Sequence, residues 1–88
     1  MWKLLITKAF IKQFLKLEKG SRDFVLDSLD FLLNTLNLDI ELELDIIDEY
    51  SDGVNQSKPF PLTYNIDYDK ELIYLICIEE HLLKPKEK

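Results

Sequence analysis

The sequence has few of the residues that do chemistry. It holds one cysteine, Cys77, one histidine, His81, one tryptophan, two glycines and three prolines in 88 residues. A single cysteine excludes an intramolecular disulfide, the usual staple of small secreted domains, and favours a reducing compartment. Cysteine and histidine are too scarce for a zinc centre, which needs about four such ligands. With so little glycine there is no phosphate-cradling loop, and neither a GxSxG nor an HExxH motif is present. No cofactor is implied. No basic-then-apolar leader opens the chain. The longest apolar run, Leu72 to Ile78, is seven residues, against the roughly 20 a membrane helix needs. The expectation is a soluble, cytoplasmic protein.

Basic residues are missing from the second third of the chain. Residues 23–52 carry ten acids and no lysine or arginine. Residues 1–22 carry six basic residues and one acid. The remainder is nearly balanced, and the net charge is −6. That sum argues against non-specific nucleic-acid binding by the whole surface. The partition itself marks a candidate partner surface.

An apolar content of 47% suits a globular domain, and the length suits one domain. Lys3 to Ile6 reads as a first strand, with Thr7 as a helix N-cap. Between Lys8 and Lys19, Phe10, Ile11, Phe14 and Leu17 recur at helical spacing. Gly20 fits the C-cap. Ser21 then caps a second helix, with Asp23 in its first turn. Val25, Leu29, Leu32, Leu33 and Leu36 form that helix's apolar stripe, and Asp23, Asp27, Asp30 and Asn34 its wet face.

The period then changes from 3.6 to 2. Ile40, Leu42, Leu44 and Ile46 alternate with Glu41, Glu43, Asp45 and Ile47, as in a half-buried strand. A polar loop, Asp48 to Lys58, follows. Leu62, Tyr64 and Ile66 alternate with Thr63, Asn65 and Asp67 in a third strand. After a turn at Tyr68 to Lys70, Leu72 to Ile78 reads as a central buried strand. The fold class expected is α+β: a two-layer β-α-α-β-β-β domain over residues 1–83, with 84–88 a frayed tail. A helical hairpin packs on a small, mainly antiparallel sheet. The last three strands form a meander, and the first strand lies beside the last.

Four groups are candidates for chemistry. Glu41, Glu43 and Asp45 lie about 7 Å apart along a strand, too far for one cation to reach all three at about 2.4 Å. They read instead as a solvated sheet edge. Asp48 to Gly53 opens like a calcium loop, but Tyr50 replaces a ligand and Pro59 stands where the bidentate glutamate belongs. No metal site is therefore expected. Cys77 reads as a core residue. His81 reads either as a strand-end residue or as an acid–base group. Lys8, Lys12 and Lys16 fall on one helix face, with Lys19 and Arg22 beyond. They form either a solvated face or a site for RNA or an acidic protein segment.

Three stretches resemble the RelE/ParE superfamily of type II toxins. Trp2-Lys3-Leu4-Leu5-Ile6-Thr7-Lys8-Ala9-Phe10 and onward to Leu17 is similar to its opening strand and helix. Pro59-Phe60-Pro61-Leu62-Thr63-Tyr64-Asn65-Ile66-Asp67 is similar to its third strand. Leu72 to His81 is similar to its fourth strand ending in histidine. The resemblance implies a toxin-like component of a type II toxin–antitoxin module, covered by an antitoxin protein. In members that cut messenger RNA on the ribosome, basic side chains stabilise the phosphate beside an acid–base group.

By that likeness His81 is the catalytic residue, and Lys8, Lys12, Lys16, Lys19 and Arg22 bind RNA or a partner. The usual basic catalytic residues are missing. The arginine position of the third strand is Pro61, the residue after the histidine is Leu82, and no tyrosine occurs in Lys84 to Lys88. A noncatalytic protein-interaction domain of the same fold is the alternative.

Overall fold

A computed structural model describes residues 2–36, 43–50 and 61–80. In these residues the chain runs β1 (Lys3–Thr7), α1 (Lys8–Lys16), α2 (Lys19–Thr35), β2 (Glu43–Ile47), β3 (Leu62–Asp67) and β4 (Leu72–Ile78). The element order is the one the sequence periodicities predict. Two helices lie on one four-stranded sheet, and the strand order is β2-β1-β4-β3.

The sheet corrects the expected pairing. β1 lies beside β4, as anticipated, but β2 pairs with β1 and not with β3. Both pairings of β1 are parallel, and only the β3–β4 hairpin is antiparallel. The sheet is therefore mixed, and no three-stranded meander forms. The physical reason lies in the crossover. Parallel neighbours need a connection of a dozen or more residues. The helical pair between β1 and β2 supplies it.

The helix junction also differs. α1 ends at Lys16, and α2 begins at Lys19. Leu17 and Glu18 are extended and cap the two helices, so Gly20 sits inside the first turn of α2 and caps nothing. Ser21 and Asp23 lie within α2, and no acid occupies its first turn. The junction is closed instead by Arg22, whose Nε donates to the Leu17 carbonyl at 2.9 Å.

Two polar side chains fasten α1 to β4. The Thr7 hydroxyl accepts from the Phe10 amide at 3.1 Å, which makes it the N-cap of α1. The same hydroxyl donates to the Ile76 carbonyl at 2.6 Å. The β3–β4 register shifts between Thr63 and Tyr64, so that Ile76 has no Cα partner on β3. Two turns further along α1, the Gln13 carboxamide binds the backbone of Ile78 on both sides. It donates to the carbonyl at 3.0 Å and accepts from the amide at 2.7 Å. A side-chain amide thus stands in for a missing strand at the end of β4.

The core lies between the helices and one sheet face. Leu4, Phe10, Val25, Leu32, Leu62, Tyr64, Ile73, Leu75 and Ile78 are buried. Each fully buried aliphatic side chain contributes about 1.5–3 kcal/mol. The opposite face is crossed by Tyr50, whose ring lies 4.2 Å from that of Tyr74. Trp2 packs edge-on against Tyr68 in the β3–β4 turn, and the Lys3 amide donates to the Glu71 carbonyl beside it.

Thr7→Val removes the cap and leaves the Ile76 carbonyl without its donor. We expect a loss of about 2 kcal/mol, from a cap worth about 1 kcal/mol and a buried bond of similar size. Thr7→Ser should retain most of the stability. Urea unfolding measures both, with unchanged m-values marking a native-state effect.

Candidate functional site

The register aligns two apolar rows on the helix-covered face. Leu44, Leu4, Ile73 and Ile66 form one row, and Ile46, Ile6, Leu75 and Tyr64 the other. Exposure changes sharply along them. Leu4 and Leu75 are 3% and 0% exposed, whereas Leu44 and Ile46 are 65% and 56% exposed. The helices pack mainly on β1, β3 and β4, and they leave Leu44 and Ile46 of β2 exposed. The outer strand therefore presents two aliphatic side chains to solvent, in rows that continue the core.

Beside these rows an apolar cleft opens between the two helices and the sheet. Ile6, Phe10, Ile11, Phe14, Leu26 and Leu29 line it, and its volume is about 160 Å³. Small-molecule sites run to about 300–1,000 Å³ and place a few polar groups to orient the ligand. This cleft is smaller, and every described lining residue is apolar. It has room for one or two apolar side chains. On α2, Leu26 is 50% exposed.

The predicted cations fall into two classes. Three are engaged within the chain. Lys8 pairs with Asp48 at 2.8 Å, Lys19 pairs with Asp23 at 3.1 Å, and Arg22 closes the helix junction. Lys12 and Lys16 are exposed and make no ion pair among the described residues. The stripe expected to meet a partner thus reduces to Lys12 and Lys16 on α1.

The end of β4, next to which His81 was expected to act, is acidic. His81 itself lies outside the described residues. Before it stand Glu79 and Glu80, and the Thr63 hydroxyl donates to the Glu79 carboxylate. The Glu80 carboxylate accepts from Gln13 at 2.9 Å. Two carboxylates repel a phosphate, whereas the resemblance implies basic side chains at this point. Sequence reading missed Gln13. Its signal was a polar residue beside Phe10 and Phe14 on the buried side of α1.

Cys77 is half-buried and therefore less enclosed than its apolar surroundings in the sequence suggested. Glu41, the first acid of the strand ladder, lies outside the described residues, as do Gly53 and Pro59 of the rejected calcium loop. Among the described residues no three acids, histidines or cysteines converge on one point, and no helix is long and apolar enough to cross a membrane. No protein-family model, curated protein or solved structure matches the chain.

Lys8 and Asp48 join the start of α1 to the end of β2. The hydrogen bond and charge of Lys8 lower the Asp48 pKa below its ordinary 3.8, and Asp48 raises that of Lys8 above 10.5. A depressed carboxyl pKa stabilises the fold above the unfolded value, and that gain is lost as pH falls through the folded value. The raised lysine pKa gives a gain present below 10.5 and lost above it. Both groups are fully solvated, so the effect is small and screened by salt. Asp48→Asn should lower stability slightly at pH 7 and not at all at pH 2, which urea unfolding at the two pH values would show.

Proposed function

We propose that the chain is a toxin-like component of a two-protein toxin–antitoxin module, acting by protein contact and not by cutting RNA. The observation that carries this reading is the apolar cleft, and Lys12 and Lys16 elsewhere on α1 make no ion pair among the described residues. Its occupant is an acidic amphipathic segment of the partner. One or two of its apolar side chains enter the cleft, and its carboxylates are attracted over a longer range by Lys12 and Lys16, which lie outside the cleft lining. The family likeness of the sequence supplies the biological setting, and the β-α-α-β-β-β order with two helices on one sheet is in keeping with it.

In this reading the two parts of the site take separate roles. Leu26 and Ile11 provide contact area. Lys12 and Lys16 favour an acidic partner and speed its encounter. Catalysis has little to work with, because the described end of β4 carries two carboxylates where developing negative charge would need cations. A second reading is favoured by the same two lysines. Their freedom also suits RNA phosphates, with His81 as the acid–base group of an endonuclease.

Induced expression of the chain alone separates the readings. A contact-acting toxin slows growth, leaves cellular RNA intact, and is equally toxic as His81→Ala. RNA fragments that disappear in His81→Ala would establish the nuclease. Unchanged growth at high expression would remove the toxin reading and leave an interaction domain. For that domain or the toxin, Leu26→Asp should weaken the acidic partner's binding about tenfold or more, since burying one such side chain is worth about 1.5–3 kcal/mol. Titration calorimetry with the co-purified partner measures it.

A further inference from the structure

The outer edge of β2 is a second exposed surface, acidic where α1 is basic and apart from the cleft. Glu43 donates its amide to the carbonyl of Trp2, just before β1. Backbone groups alternate in direction along a strand, so those of Glu43, Asp45 and Ile47 point to β1. Those of Leu44 and Ile46 point outwards. Among the described residues no strand pairs with that outer edge.

The outward amide of Ile46 is held by the carboxylate of its own neighbour, with Asp45 Oδ1 at 3.1 Å. Asp45 therefore occupies a donor that an added strand would use. Glu43, on the same face as Asp45, makes only a loose contact of 3.8 Å to Lys3. On the other face stand the exposed Leu44 and Ile46. Acids alone explain a protected edge. They do not explain two aliphatic side chains left in water beside them.

We propose that β2 takes up an extended peptide segment as a fifth strand, with lysine or arginine at alternate positions and aliphatic residues between. The aliphatic residues cover Leu44 and Ile46, and the cations face Glu43 and Asp45. An incoming cation draws the Asp45 carboxylate away from the Ile46 amide, which then pairs with the added strand. Strand addition supplies affinity through main-chain hydrogen bonds and specificity through alternate side chains. A second copy of this chain is the wrong occupant. Pairing β2 with β2 brings the acids of both copies together, and like charges across a strand pair are destabilising.

The test uses the ¹⁵N-labelled full chain with two synthetic peptides, one alternating lysine with valine and one alternating glutamate with valine. The lysine peptide should slow amide exchange of Leu44 and Ile46 at least tenfold. Its affinity should fall as salt rises, and the glutamate peptide should not bind. Asp45→Asn retains an oxygen to accept from Ile46 but loses the charge, and should weaken only the lysine peptide. Glu43→Lys with Asp45→Lys should reverse the preference. Unchanged exchange of Leu44 and Ile46 at saturating lysine peptide, or an unreversed preference in the double variant, overturns the proposal. Neither outcome bears on the cleft.

Discussion

The hydroxyl of Thr7 holds the two layers in place. It ends β1, starts α1 and fastens both to the bulged carbonyl of β4. Each of these bonds alone is worth about 1 kcal/mol, yet together they fix where the first helix begins and over which strand it lies. Gln13 repeats the attachment further along α1 at Ile78. The helical pair is thereby anchored towards β4, and its cover runs out at the far side of β1.

The accessible surface follows from that placement. β2 lies parallel to β1, an arrangement that the long connection through the helical pair allows. It arrives on the side the helices do not reach. Leu44 and Ile46 then remain exposed in rows that are buried one strand away. The cleft opens between the helices and the covered strands. The charge partition becomes two faces with different preferences, cations along α1 and acids along the β2 edge. The proposed protein contacts rest on these two faces, and the end of β4 carries Glu79 and Glu80.

Much of this was legible in the sequence. Strand and helix periods located all six elements, and Thr7 was recognisable as a cap because a hydroxyl residue preceded an amphipathic run. The helix junction was misread, since Gly20 is the expected stop signal, whereas the chain turns two residues earlier through Leu17 and Glu18. Strand order was hidden for a different reason. The alternation in β2 fits a neighbour on either side, and only the anchoring of α1 decides between them. The five-cation stripe was legible as composition. That three of the five are engaged with Asp48, Asp23 and the Leu17 carbonyl depends on contacts that sequence does not encode locally.

The exposed aliphatic pair and the open outer edge of β2 both depend on β2 lying beside β1. Through-space proton contacts in a nuclear magnetic resonance spectrum report that neighbour directly. The account predicts contacts from Leu44 to Leu4 and from Ile46 to Ile6, matching the paired positions of the two strands. Contacts from Leu44 and Ile46 to Thr63, Tyr64 or Asn65 of β3, with none to β1, would contradict it.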